Sequence, residues 1–553
     1  MRTSLLLRLK KPLLIFAFFA LLPIAIYPLW GYIGDDFHEH LTSWMELARF
    51  WKSGQFLPYW AEKANFTLGD LRFSFYPPMS FAVGGSLALL LPLHFVPAAY
   101  VWLVFVASGC SMYYASRPFV HEEERVKVAI LYMMNPYMIL TSVVRFAAAE
   151  LLAQVWLPLV FLFFYQSLWE KQRRATFLLG SMLALCWITN VPGAIVLLYG
   201  LLATAGIIAV GQKSVWPVVS FCVAETIAAA LAAFYLAPVW AEQAWIHKNT
   251  VSRFGLGFLF FPLLHLMRPA FTITLWAYAC LETGLVVIYA WYWRKRGSRD
   301  KAARTWLEIA LVSFVFQLPI TSVLWRYLPQ LRFADFPFRF LAATAVALPL
   351  ALFAKDTPQT LRKPTYIIVA LLALLPYAMF LRARYSPRQP PSFASMVNGW
   401  EENGYRSLWP EFVPAGAEPY APINVVPSSP VSPATAPDCA TVLRSPAAGR
   451  KILDTNASAP CQVRVAMYYY PYWQAVDESG IHLKTGRDHD GLLLVRVPSG
   501  KHTIRLVFEA HSFVRRWSLM LSLISLLAVF LAIRYSPRRE FGIQSRADLE
   551  TAT

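Results

Sequence analysis

Apolar stretches of about 20 residues, long enough to cross ~30 Å of hydrocarbon as a helix, recur along this 553-residue chain. They lie near 13–32, 98–116, 127–143, 151–168, 175–190, 194–210, 216–238, 271–293, 306–324, 340–354, 365–381 and 517–533. A further stretch, 76–96, is ambiguous. Apolar residues make up 57% of the chain and charged residues 15%, against about 45–50% and 25% in soluble domains. This excludes a disordered chain, a fibrous repeat and an ordinary cytosolic enzyme, and predicts a polytopic α-helical membrane protein. The net charge is +18. In a soluble protein that would suggest nucleic acid. Here membrane lipids with anionic headgroups, and an anionic lipid-linked substrate, are the partners it fits, and no nucleic acid is expected.

Arg2, Arg8, Lys10 and Lys11 precede the first run, and no small-x-small cleavage site follows it. The run therefore reads as a retained signal anchor with a cytoplasmic N-terminus. Short basic loops occur at Arg117–Lys127, Lys171–Arg174, around Lys213, and at Arg294–Arg304, Lys355–Lys363 and Arg534–Arg539. All six fall on the cytoplasmic side if 76–96 does not cross. Pro77, Pro78, Gly84, Gly85 and Pro92 suit an interrupted, re-entrant or interfacial helix there. The expectation is 12 spans with both termini cytoplasmic. The membrane domain is 1–381, with an outer loop at 33–97; 382–437 is a Pro-rich linker, 438–514 an outer domain, and 515–553 the last span and tail.

Within the outer domain, VRVAMYYYPYWQAV, GIHLKT, GLLLVRVP and HTIRLVFEA are apolar or alternating, and turn signals separate them. That pattern predicts a small antiparallel β-sandwich. Cys439 and Cys461 lie there, on the oxidising side. A disulfide between them would stabilise by about 3 kcal/mol on the loop-entropy model. Cys110, Cys186, Cys222 and Cys280 fall within spans, where a small apolar role is the default.

Chemistry-bearing residues cluster at the outer surface. Gly34-Asp35-Asp36-Phe37-His38-Glu39-His40 follows the first span. Asp36 and His40 share a helix face at i, i+4. The composition suits a general base or a divalent metal site; a solvated helix start capped by Asp35 or Asp36 is the alternative. Arg145 and Glu150 flank small residues at the end of the third span. They read either as a structural salt bridge or as a phosphate-binding Arg beside a carboxylate for metal or acceptor. Arg339, in Arg332–Phe340, begins the tenth span. Bidentate phosphate binding and snorkelling to lipid phosphate both suit it. Glu242, Arg253, His265 and Arg268 are weaker candidates. No Walker A loop, Rossmann glycine signature or GxSxG elbow is present.

Several of these motifs occur together: Asp36-x3-His40, Gly54, Pro58-x-Trp60, Phe75-Tyr76-Pro77-Pro78, Arg145-x4-Glu150, Phe336-Pro337-Phe338-Arg339-Phe340, and Tyr470-Pro471-Tyr472-Trp473 with Pro498-x-Gly500. In that order they resemble bacterial membrane proteins labelled "6-pyruvoyl-tetrahydropterin synthase-related" and the neighbouring YfhO-like proteins. Phe338 stands where that group usually has Trp. The group is similar to glycosyltransferases of the C-type fold (GT-C). The resemblance implies a polyprenyl-phosphate-linked sugar as donor on the outer face of a bacterial inner membrane. It also implies an acidic base from the first outer loop, juxtamembrane helices that do not cross, and in some members a metal-binding carboxylate from the second loop.

The expected function is sugar transfer to an envelope glycan, lipid or protein acceptor. Asp36 would be the base, with Asp35 and His40 beside it, and Arg145, Glu150, Arg339 and Glu242 would bind substrate. A divalent metal, if used, would sit on Asp36 and Glu150. The alternative is a non-catalytic transporter or an assembly scaffold for envelope polysaccharide. No inverted repeat is evident, and the ionisable residues favour surface chemistry over conduction.

Overall fold

The computed structural model describes residues 2–25, 34–247, 301–355, 393–418, 429–434, 439–510 and 512–536, with single positions between 260 and 284 and between 366 and 374. The expected spans at 271–293 and 365–381 lie largely outside the described residues, as do Arg253, His265 and Arg268 altogether.

Among the described residues, four helices are long and apolar enough to cross a membrane: Leu93–Ala115, Glu122–Arg145, Val191–Gln212 and Phe513–Tyr535. They make the chain a membrane protein. Two more of the twelve expected spans are bent pairs: Trp216–Leu231 with Ala233–Trp245, at 78°, and Lys301–Phe316 with Pro319–Tyr327, at 77°. The two bends have different surroundings. Leu318 is extended (ψ 147°) before Pro319, since proline disfavours helical backbone in the residue ahead of it. The other break is plugged from outside: Ser522 Oγ on the last span accepts from Phe234 N at 2.9 Å and donates to the Ala230 carbonyl at 3.1 Å. One hydroxyl so satisfies a donor and an acceptor on either side of the break. Pro78–Leu90, Leu157–Leu168 and Pro337–Leu352 are shorter apolar helices.

The loop after the first apolar run folds into two packed helices, Phe37–Lys52 and Pro78–Leu90. The second has 13 residues, about 20 Å at 1.5 Å per residue, short of the bilayer's hydrocarbon. Its glycines admit the first helix. A Cβ on Gly84 would stand 2.2 Å from the Trp44 ring, and one on Gly85 2.9 Å from Leu47 Cδ2.

A fully buried cation ties this loop together. Arg72 Nη1 pairs with Glu39 at 2.7 Å and Arg72 Nη2 with Asp70 at 2.8 Å, all three side chains at 0% exposure. Ser43 and Ser407 hydroxyls take two further bonds from the guanidinium, at 3.2 and 2.8 Å. Ser407 belongs to the segment 393–418, so the knot also fixes that segment over the loop. Tyr405 reinforces it through Glu46 at 2.9 Å.

Residues 431–508 form two antiparallel sheets. One has the order β1-β4-β8-β7, from Val431–Pro433, Cys461–Tyr468, Leu492–Val497 and Thr485–Arg487. The other is β2-β3-β9-β5-β6, from Cys439–Ala447, Arg450–Ala457, Gly500–Phe508, Trp473–Val476 and His482–Leu483. Alternation drives the layering: along β4, Cys461, Val463, Val465 and Met467 point inward, against Leu453, Ile504 and Leu506 of the other sheet. A disulfide joins Cys439 at the start of β2 to Cys461 at the start of β4, with Cα atoms 6.6 Å apart, and so links the two sheets. The sandwich rests on the first loop. Trp60 meets Trp473 edge-on at 5.5 Å, Tyr468 N donates to the Leu68 carbonyl at 2.8 Å, and Gly449 N donates to Glu62 at 2.6 Å.

Removing Arg72 strands Glu39 and Asp70 as buried, unpaired carboxylates, a loss worth about 3–5 kcal/mol. Arg72→Met should therefore lower the thermal unfolding temperature of the purified protein sharply. Arg72→Lys should restore only part of it, since an ammonium lacks the fork that reaches Asp70, Glu39 and Ser407 together. Unfolding of Arg72→Met at the wild-type temperature would refute this role.

Candidate functional site

Three segments, distant in sequence, meet around Glu150. The helix Glu122–Arg145 ends in a widened π turn, Thr141–Arg145, and Phe146 follows in left-handed backbone (φ 49°, ψ 39°). Such a conformation is costly for a bulky residue and is held only where its surroundings demand it. Here it reverses the chain, so that Arg145 Nη1 meets Glu150 Oε2 at 2.8 Å. Arg339 reaches the same oxygen through Nε at 3.3 Å, and its Nη1 bonds the Ala334 carbonyl at 2.6 Å and Asp335 at 3.3 Å. Tyr137 donates its phenol to the other Glu150 oxygen. Phe338 lies under Arg145 and Phe336 under Arg339, with guanidinium carbons 5.5 and 5.2 Å from the ring centres. A phenylalanine at 338 therefore still supplies a cation–π face.

Asp36 joins from the first loop. Its N–H donates to the Arg145 carbonyl at 2.9 Å. Gly34 makes that approach possible, because a Cβ there would fall 2.4 Å from Phe146 Cβ and 3.1 Å from the Arg145 carbonyl. The half-buried Asp36 carboxylate takes no hydrogen bond or ion pair from the described residues. Its electrostatic neighbours are Arg145, Asp35, Arg339 and Glu150.

The carboxyls in this cluster differ in state. Burial pushes Asp36 up to about 6, with Arg145 pulling the other way and Asp35 adding to the rise. Asp335 also rises to about 6 by burial, opposed by Arg339. Burial acts on Glu150 too, but Arg145 and Arg339 outweigh it and hold that carboxyl below its ordinary value. Glu150 is thus the fixed anion, whereas Asp36 and Asp335 are both raised toward neutrality, and of these two Asp335 already has Arg339 as its partner.

The structure brings Asp36, Arg145, Glu150 and Arg339 together, and Asp35 stands at the exposed rim. His40 is elsewhere. It is fully buried among Trp44, Tyr76, Phe81 and Trp409, with ring centres 5.5–6.5 Å away, and neither ring nitrogen has a partner among the described residues. Burial, with Arg72 adding, lowers it to about 3, so it is a neutral imidazole in an aromatic box. Glu242 forms a separate buried cluster. It pairs with Arg515 of the last span, Nε to Oε1 at 3.0 Å, and accepts from Tyr472 at 2.9 Å, joining the β-sandwich to that span. Three members of the site were not singled out from the sequence. Tyr137 sits inside an apolar run and Asp335 inside an aromatic one. Tyr76, stacked between Phe81 and Trp409 at 4.9 and 4.6 Å, is acted on electrostatically by both Asp36 and Arg339.

A narrow cavity of ≈ 20 Å³ touches Tyr137, Glu150, Asn190 and Arg339, room for about one water molecule. The donor set does not fit a dication at Glu150, where two guanidiniums already stand within 3.3 Å. Among the described residues a cluster of three metal-type ligands occurs at Asp488, His489 and Asp490, in the turn between β7 and β8. Arg464 pairs with both of those carboxylates.

No family model matches the chain, and no curated protein matches it. Among solved structures it is similar to the arabinofuranosyltransferase AftD from mycobacteria, at 16% identity and a TM-score of 0.42, over 71% of this chain and 28% of that one. It is also similar to the apo form of the Archaeoglobus fulgidus oligosaccharyltransferase, at 14% identity and a TM-score of 0.41, over 71% of this chain and 58% of that one. The same oligosaccharyltransferase with zinc and sulfate gives 14% and 0.39, over 71% and 56%. This chain therefore spans between about a quarter and three fifths of their lengths, and at this level no residue's role carries across.

The Asp36 shift has a stability consequence. Between its unfolded value of 3.8 and its folded value of about 6, the folded chain holds a proton that the unfolded chain has released. Stability therefore falls as pH rises through that window and stays lower above it. Asp36→Asn should unfold at a higher temperature than wild type at pH 7.5, and the gain should shrink as the pH approaches 4. A destabilised Asp36→Asn at pH 7.5 would show instead that the carboxylate is a structural partner.

Proposed function

We propose that this protein is a membrane glycosyltransferase of the C-type fold, acting on the outer face of a bacterial inner membrane. It moves a sugar from a polyprenyl-phosphate carrier to an envelope glycan, lipid or protein acceptor. The observation that carries the reading is the Asp36 carboxylate, without a described partner, beside two guanidiniums gathered on Glu150. In this reading Asp36 takes the proton of the acceptor hydroxyl. The acceptor oxygen attacks the anomeric carbon, the bond from that carbon to the phosphate oxygen breaks, and the phosphate leaves with the electron pair. Arg145 and Arg339 face the charge that gathers on the phosphate; each uses only part of its five N–H donors on Glu150 and its neighbours. Glu150, doubly paired, keeps both cations in place. No step is routed through a metal. The orientation that fits this reading has 12 spans and both termini in the cytoplasm.

Purified full-length protein, offered a panel of polyprenyl-phosphate sugars and envelope extract, should release polyprenyl phosphate, a product common to every acceptor. Asp36→Asn should slow that release by about 10²–10⁴-fold, the usual contribution of a positioned base, while inserting into membranes in normal amount. Activity should fall as the pH drops through about 6, where Asp36 takes up its proton. Arg339→Lys should raise the donor KM more than loss of charge explains, because the fork is lost. Normal release by Asp36→Asn would overturn the assignment and move the reading to a transporter or an assembly scaffold.

A further inference from the structure

A second pocket, of ≈ 340 Å³, opens between the C-terminal halves of Phe37–Lys52 and Pro78–Leu90. It is remote from Asp36: Arg49, on its wall, lies 13 residues further along the helix, about 20 Å at 1.5 Å per residue. Its two sides differ in chemistry. One carries Arg49, Lys52 and Lys63; the other is Ala88, Leu91 and Leu93.

The cations have donors to spare. Arg49 Nη2 donates to Glu62 at 2.9 Å and lies 4.0 Å from Glu46, while its Nη1 makes no hydrogen bond to a described residue. Lys52 is exposed and has no partner among the described residues. Lys63 Nζ gives one bond, to the Glu401 carbonyl at 2.6 Å. Two carboxylates also line the pocket, Glu46 and Glu401. Glu46 is fully buried and already accepts from Lys63 N and from the Tyr405 hydroxyl, both at 2.9 Å. Glu401 stands on the exposed side. Glu401 keeps a free carboxylate at the exposed edge, so the pocket holds three cations against one unengaged anion and is net positive.

The apolar side fixes the setting. Leu93 is the first residue of the span Leu93–Ala115, so the mouth lies where that helix leaves the bilayer. Leu90 and Phe95, flanking the wall, are 78% and 55% exposed, a surface suited to acyl chains. A basic pocket beside an apolar ledge at headgroup depth has the chemistry of an anionic lipid site.

We infer that this pocket seats the phosphate headgroup of an anionic phospholipid, with its acyl chains lying over Leu90, Leu91 and Phe95. The site shares no residue with the Asp36 cluster and does not depend on the transferase reading.

The test uses the full-length protein in detergent, titrated separately with dioleoyl phosphatidylglycerol, dioleoyl phosphatidylcholine and inorganic phosphate. Native mass spectrometry counts bound lipid, and thermal unfolding reports stabilisation. Phosphatidylglycerol should bind and stabilise in preference to phosphatidylcholine. Lys52→Gln should weaken phosphatidylglycerol binding about fivefold, the effect of one lysine charge near a lipid surface, and Lys52→Glu should weaken it further. Lys52 is exposed and unpaired, so both variants should unfold at the wild-type temperature without lipid. Leu91→Gln, on the opposite wall, should also weaken phosphatidylglycerol binding. Undiminished phosphatidylglycerol affinity in Lys52→Glu overturns the location. Stabilisation by inorganic phosphate equal to that by the lipid overturns the lipid and leaves a soluble-anion site.

Discussion

Charge excluded from hydrocarbon has to be neutralised where the chain emerges, and Glu150 does this for two guanidiniums at once. Its carboxylate pairs with Arg145 at 2.8 Å and Arg339 at 3.3 Å, and the phenol of Tyr137 takes the remaining oxygen. Arg145 and Glu150 belong to one outer turn, and Arg339 comes from a segment 189 residues away. The left-handed Phe146 and the π turn before it serve to close that contact, and the glycine at 34 lets the Asp36 backbone reach the same turn. A buried ion pair is weak evidence for net stability but expensive to break. Its contribution here is positional: it sets where the ends of separate helices stand relative to one another.

The same economy of partners distinguishes the carboxylates of the first loop. Glu39 is consumed by Arg72, together with Asp70, at 0% exposure. Asp36 precedes it by less than one helical turn yet faces a different neighbourhood. Its backbone is pinned to Arg145 while its side chain is left without a described partner. Burial raises both groups, Glu39 to about 7 against the pull of Arg72 and Asp36 to about 6, but only Asp36 retains lone pairs that something outside the fold could use. A half-buried acid with no described partner is costly to keep ionised, which is why its position carries more functional weight than its residue type.

Much of this was legible in the sequence, for identifiable reasons. Leu93–Ala115, Val191–Gln212 and Phe513–Tyr535 are uninterrupted apolar runs, and period-two alternation exposes the strands from Cys461 onward. Arg145, Glu150 and Arg339 stood out because charge at the end of an apolar run is rare. Other features were hidden. The run 216–238 is continuously apolar, and its break at Ala232 depends on Ser522, nearly 300 residues away. Asp70 and Arg72 look like ordinary surface charges until Glu39 and Ser407 close around them. His40, at i+4 from Asp36, shares its helix face in the sequence pattern, but the aromatic residues Tyr76 and Trp409 from other segments enclose it. In each case the deciding partner is distant in sequence, beyond the reach of any local pattern.

The β-sandwich completes this logic. It is held to the first loop by Trp60 against Trp473 and by the Glu62–Gly449 bond, and to the last span by Glu242 with Arg515 and Tyr472. Glu242, at the end of the bent pair Trp216–Trp245, so plays toward Arg515 the part that Glu150 plays toward Arg145 and Arg339. The last span meanwhile supplies Ser522 to the break in that same pair. The C-terminal helix therefore touches one bent element at two depths, through an ion pair outside and a hydroxyl within. Only 17% of the residues in the apolar window of that helix are buried inside the protein, so side-chain packing does little to fix its register. Two directional polar contacts on one partner supply that register instead, since sliding by a single turn would unmake both.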